Sequence, residues 1–196
     1  MLDIHNFRKE DMVDAGTNDV NIDTTTFIIS QQQMDWFANV ALQLPENSGW
    51  KVIVFSHISW YSPSDNNESR VRNGYQIHGA LRALNQHKSY SATNTGSNYG
   101  TTISVDFTNT DHKVVATICG HNHVDSAFVK EGINYIYCGC SAPRIAVDED
   151  GDVILQREWY GEKEDLWTAF VVDTQQNKLH LIRFGAGKDF EQTFDF

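Results

Sequence analysis

Two stretches of this chain, "KVIVF" at residues 51–55 and "VVATI" at residues 114–118, are almost wholly apolar and show no alternation. Runs of this length are short for a helix and suit strands covered on both faces, as in a sheet flanked by other layers. Each run leads into a histidine-bearing segment, "SH" at 56–57 and "CGHNH" at 119–123. The organising expectation is an α/β arrangement in which two strands carry histidines to one sheet edge. In open α/β sheets, ligands collect beyond the carboxyl ends of the strands.

The neighbouring segments supply the remaining layers. "SQQQMDWFANVALQL" places Met34, Phe37, Ala38, Ala41 and Leu42 at helical spacing. Ser30 with Gln33 three residues later matches a capping box at its start, and Pro45 and Gly49 close it. "YQIHGALRALNQH" predicts a second helix with Ile77, Leu81 and Leu84 on one side. The polar stretches "SPSDNNESRVRNG" and "SATNTGSNYGTTIS" read as surface loops. Beyond the second apolar run the pattern turns to β. "DSAFVKEGINYIYCG" predicts a hairpin turning at Glu131-Gly132, and "LWTAFVVDTQQNKLHLIRFG" another turning around Gln175 to Asn177. No repeat or low-complexity linker divides the chain, so residues 1–196 are expected to form a single domain of mixed α/β (α+β) class.

Charge narrows the partners. Lys and Arg total 15 against 26 Asp and Glu, a net charge of −11. That balance disfavours broad binding to nucleic acid or anionic membranes. It leaves a phosphate substrate open, because bound divalent cations invert the field locally. The N-terminus has no apolar core of signal-peptide length and no run approaches a membrane span, so a soluble, cytoplasmic chain is expected. Cys119, Cys138 and Cys140 are expected to be reduced, small core residues rather than a disulfide scaffold.

Of the eight histidines, His5, His78, His87, His112 and His180 are assigned structural or solvated roles. His57, His121 and His123 are the candidate metal ligands, because three imidazoles from two separate segments suit a divalent cation. In the H-x-H pair the two rings either point the same way along an extended segment or splay towards two neighbouring ions. Gly120 would allow the backbone to approach the metal closely. Mn, Fe, Zn and Ni all accept such a ligand set.

Taken together, "ISQQQMDWFANVAL", "WKVIVFSH" and "ICGHNH" resemble the later half of a calcineurin-like metallophosphoesterase domain. In that family a Q-x-x-W-(L/F) helix precedes a strand ending in a metal-binding histidine, and a G-H-x-H motif follows. The closing "LWTAFVVDTQQNKLHLIRFGAG" is similar to the antiparallel strands that end such domains. The resemblance implies a partial calcineurin-like β-sandwich flanked by helices, with antiparallel strands at the C-terminus. It also implies that His57 and His121 bind one of two divalent metal ions and His123 the other. Such a dinuclear centre hydrolyses phosphomonoesters or phosphodiesters by activating water for in-line attack on phosphorus.

The family's earlier motifs, which supply its carboxylate ligands, are missing. Asp3-Ile4-His5 is a formal D-x-H, but no G-D-x-x-D follows, since Asn18 stands where glycine should in "NDVNID", and no G-N-H occurs. "MLDIHN" aligns better with the strand that follows the family's G-N-H motif, so Asp3 and His5 count as a chance match. The chain is expected to begin near the midpoint of such a domain and, in isolation, to be incomplete or inactive. No catalytic residue is assigned, and the three imidazoles suit a single Zn²⁺ with water in the fourth position. The contrasting expectation is a non-catalytic metal-binding or protein-interaction module that self-associates or pairs with a missing N-terminal half. Trp159, Tyr160, Trp167 and Phe170 would supply its surface. The loops at 62–73 and 89–102 are where a phosphate-ester substrate would be selected; Arg70 and Arg72 could contact a phosphate there, but a solvated loop face is the preferred expectation for them.

Overall fold

The apolar run at 114–118 lies within a strand of the central sheet, Lys113–Cys119, buried at every residue but Lys113. The computed structural model describes residues 27–46, 48–61, 71–95, 100–121, 125–139, 160–161, 164–185 and 192–196. Among them are eleven strands and two α-helices, a mixed α/β protein whose strands lie in several sheets. The first elements are β1 (Phe27–Ile28) and α1 (Gln31–Trp36), the latter running on into a π-helical turn, Phe37–Ala41. They are followed by β2 (Lys51–Ser56), β3 (Val71–Arg72) and α2 (Gly74–Gln86). Next come β4 (Ser89–Asn94), β5 (Thr101–Asp106) and β6 (Lys113–Cys119). A hairpin, β7 (Ser126–Lys130) and β8 (Ile133–Tyr137), precedes β9 (Leu166–Asp173), β10 (Lys178–Gly185) and β11 (Gln192–Asp195).

The central sheet has the order β2-β6-β8-β7, with β2, β6 and β8 parallel and β7 antiparallel to β8. Parallel neighbours cannot be joined by a tight turn, and α2 lies within the long connection from β2 to β6. On one face the sheet meets the helices. Val114, Ile133 and Tyr135 pack there with Met34, Phe37, Ile77, Leu81, Leu84 and Trp60. On the other face Val115, Ala116, Ile118 and Ile136 meet Leu179 and Leu181 of the antiparallel sheet β11-β10-β9. A bulge makes this two-sided packing possible. Val52 pairs with Val114 and Ile53 with Ala116, so Val115 is the extra residue, and Val115 and Ala116 both reach the second sheet.

Local chemistry explains the helices. Ser30 Oγ accepts the Gln33 N–H at 3.3 Å, capping α1. Six residues are too few for a helix to persist on propensity alone, and burial of Met34, Phe37, Ala38 and Leu42 holds this one. In α2, Ile77, Leu81 and Leu84 are fully buried, and residues with positive φ, Asn73 (68°) and His87 (54°), flank the helix.

Three expectations need correction. "SATNTGSNYGTTIS" is not simply a loop: β4 and β5 form an antiparallel ribbon through it, with Thr101, Ile103 and Val105 buried on one side. Within "SPSDNNESRVRNG", Val71 is fully buried and β3 pairs in parallel with β1. β2 is covered on both faces only in part: Val52 and Val54 pack against the helix-side core and Ile53 against the second sheet's core. It lies at the margin of its sheet among the described residues, and Phe55 is 47% exposed. The predicted turns at Glu131-Gly132 and around Asn177 are present, with positive φ at Glu131, Gly132 and Asn177. No helix among the described residues is long and apolar enough to cross a membrane.

Candidate metal centre

Parallel pairing is what brings the histidine segments together. The β2–β6 register ends with Ser56 opposite Cys119, and the β6–β8 register with Cys119 opposite Tyr137. The residues just beyond these pairs therefore emerge at one carboxyl edge. His57 and His121 meet there: His121 Nδ1 lies 3.2 Å from His57 Nε2, with the rings at 82° and centroids 5.1 Å apart. Both residues are exposed. Phe27 sets its ring edge-to-face with His121 at 5.6 Å.

The backbone holds this approach. Gly120 N–H donates to the His57 carbonyl at 3.1 Å, tying the two segments directly. His121 has φ of +68°, an uncommon conformation for a residue with a side chain. Asn73, His87, Glu131 and Asn177 adopt positive φ at helix ends and hairpin turns, whereas His121 adopts it two residues after the end of β6, beside a second imidazole. A Cβ at Gly120 would meet only the His57 carbonyl oxygen, at 3.9 Å, so packing among the described residues does not itself demand glycine there.

Below His57 the segment 56–61 is anchored residue by residue. Ser56 Oγ donates to the Ile58 carbonyl at 2.8 Å, and Ser59 Oγ accepts the Tyr61 N–H at 3.2 Å. Trp60, fully buried, donates its indole N–H to Tyr135 Oη at 2.9 Å, and Tyr137 Oη donates to the Tyr61 carbonyl. A site built on such a held loop needs little reorganisation to bind.

A shared cation is compatible with this geometry. Two nitrogens each bound at 2.0–2.1 Å to one tetrahedral ion stand about 3.3 Å apart, close to the observed 3.2 Å. The same spacing serves as a hydrogen bond between neutral rings in complementary tautomers. His123 lies outside the described residues, as do Asp3, His5, Arg70, Cys140 and Trp159. Among the described residues no group of three or more His, Cys, Asp or Glu side chains is arranged to hold a metal ion. Cys119 and Cys138 lie near the same edge, and burial pushes their thiols up to about 12 and about 11. Neither is in a disulfide.

Sequence reasoning missed the residues that fasten the far end of the histidine segment. Asp125 Oδ1 accepts the Gly139 N–H at 2.8 Å and forms an ion pair with Arg183 of β10. The "HNHVD" string carried half of this signal, but its partner lies 58 residues further on in a strand whose pattern does not mark it. Comparison with known proteins finds no family model, no curated protein and no solved structure that matches this chain.

Proposed function

We propose that this chain is a divalent-cation-binding domain of the calcineurin-like phosphoesterase type, with His57 and His121 sharing a cation and His123 supplying a further imidazole. The observation that carries the reading is the 3.2 Å approach of the His57 and His121 nitrogens at the carboxyl edge of two adjacent parallel strands. Sequence order supports it, since the Q-x-x-W helix, the strand ending in His57 and the G-H-x-H segment follow one another as in that family. Ligation requires neutral imidazoles, so acid competes with the metal. When bound, a divalent cation would polarise a phosphate ester and offset its negative charge. The carboxylate motifs that complete a dinuclear centre are absent from this sequence, so the isolated chain binds its cation with little or no turnover.

A second reading, a non-catalytic interaction module, draws on one observation. Trp167 and Phe184 stack at 4.1 Å on an exposed face of the C-terminal sheet.

Metal analysis of the purified chain loaded with Mn²⁺ or Zn²⁺ tests the main reading, followed by assay on a chromogenic phosphodiester. About one ion per chain is expected. His121→Ala should remove it together with any phosphodiesterase activity. Undiminished metal binding or hydrolysis after that substitution would falsify the site.

A further inference from the structure

We propose that Phe27 is a positioning residue of the metal centre, setting the plane of the His121 imidazole so that its Nδ1 faces His57 Nε2. The inference rests on the metal-binding reading above and adds a residue that reading does not use. Phe27 touches His121 directly: the two rings meet edge-to-face at 77°, with centroids 5.6 Å apart. His121 in turn meets His57 at 82° and 5.1 Å, so its imidazole contacts two rings, each close to perpendicular to it. Exposed side chains exchange rotamers within nanoseconds, and His121 is exposed. The backbone beside it is held by the Gly120 N–H bond to the His57 carbonyl, which leaves the ring plane to be set by what the imidazole touches.

The Phe27 ring suits this role because it is itself fixed. It is 4% exposed and belongs to the helix-side core. Its backbone lies in β1, where Phe27 pairs with the fully buried Val71 of β3 and the Ile29 N–H donates to the Arg72 carbonyl at 3.2 Å. Asn73 Nδ2 then donates to the Ile29 carbonyl at 2.8 Å, and Asn94 Nδ2 donates to Asn73 Oδ1 at 2.6 Å. A ladder of two residues is too short to be stable alone. This one fastens the starts of α1 and α2 to each other and carries Phe27 to His121. An edge-to-face aromatic pair is directional, whereas an aliphatic side chain of the same bulk would cover the imidazole without selecting a plane. Turning that plane swings Nδ1 away from His57, and a shared ion needs both nitrogens at bonding distance. Groups that orient metal ligands from behind in this way act on affinity without touching the ion.

The test uses the full chain with Zn²⁺ alone as probe. Phe27→Leu and Phe27→Met keep an apolar side chain but lose the ring, and either suffices if the other fails to fold; Phe27→Tyr keeps the ring. Leu84→Met disturbs the same core at the other end of β6, where the neighbouring Asn85 accepts the Val114 N–H. In metal-free protein, carbon-13 relaxation of the His121 imidazole should give an order parameter of about 0.85 in the parent, falling below about 0.6 in the two ringless variants. Zn²⁺ affinity should fall about tenfold in those two and stay parent-like in Phe27→Tyr and Leu84→Met. Parent-like imidazole order or Zn²⁺ affinity in a folded ringless variant overturns the role of Phe27, as does an equal loss of affinity in Leu84→Met. A parent chain that binds no Zn²⁺ overturns the metal reading instead, and imidazole order then decides the role of Phe27 by itself.

Discussion

His78 shows how donor and acceptor arithmetic fixes a buried side chain. Its side chain is 4% exposed on α2, and both ring nitrogens have partners at 2.8 Å: Nδ1 with Tyr135 Oη, Nε2 with Glu131 Oε2. The Trp60 indole can only donate and does so to Tyr135 Oη, so the tyrosine proton is directed to His78 Nδ1. His78 is then neutral and gives its Nε2–H to Glu131, whose same oxygen also receives Arg82 Nη1 at 2.9 Å. Burial lowers the His78 pKa from its ordinary value of 6.5. The Glu131 hydrogen bond and charge oppose the shift, while Arg82 and Lys130 add to it. A folded-state pKa below the unfolded one means the unfolded chain takes up the proton first. The resulting stability is complete above 6.5 and is lost as pH falls through the folded value, with a limiting slope of about 1.4 kcal/mol per pH unit for one proton. Urea titrations from pH 7.5 to 5 should therefore show a flatter pH dependence for His78→Gln than for the parent. Equal slopes would exclude His78 as the source.

Among the elements, α2 and the His57 segment are fitted together more tightly than their patterns disclose. Gly74 opens α2, and a Cβ there would come within 2.4 Å of Trp60 Cβ. Trp60 is fully buried and hydrogen-bonded, so the backbone of the segment bearing His57 would have to move. Gly74→Ala is expected to lower stability by about 1–3 kcal/mol through overpacking, exceeding the gain of about 1 kcal/mol from better helix propensity. It should also weaken Zn²⁺ binding at His57. Chemical denaturation showing a neutral or stabilised variant would contradict this packing account. Legibility at this scale follows physical lines. Both helices, the runs that became β2 and β6, and the two long hairpins declare themselves through spacing of apolar residues and turn chemistry. β4 and β5 do not, because Ser, Thr and Asn alternate there with few apolar residues, and the inward positions are marked by Tyr90 and Ala92 on β4 and by Thr101, Ile103 and Val105 on β5. Asp125 and Arg183 escape for another reason. A contact between distant segments is set by how sheets stack, and neither neighbour's local pattern contains that information.

At the scale of the whole molecule, the second sheet has two unlike faces. Leu179 and Leu181 are buried against the central sheet, with Phe170 and Val172 packed beside them, while the alternate residues Trp167, Val171 and Phe184 are 55%, 47% and 42% exposed. Trp167 and Phe184 are register partners on β9 and β10, so their rings stack across the ladder and form one apolar ridge. Contiguous apolar surface of this kind on a sheet face commonly marks an association site. A net charge of −11 opposes contact between two copies at long range, and salt screens that repulsion within about 10 Å at 0.1 M and about 3 Å at 1 M. Association through the ridge should consequently strengthen with salt, the reverse of an ion-pair interface. Light scattering on a concentration series is expected to show a dimer that grows in on raising NaCl and is abolished by Trp167→Lys. Phe55→Lys, at the exposed position of β2, should leave it intact. A monodisperse monomer at high protein and high salt would remove self-association from the account, whereas a dimer lost in Phe55→Lys and kept in Trp167→Lys would move the contact to the margin of the central sheet, next to His57.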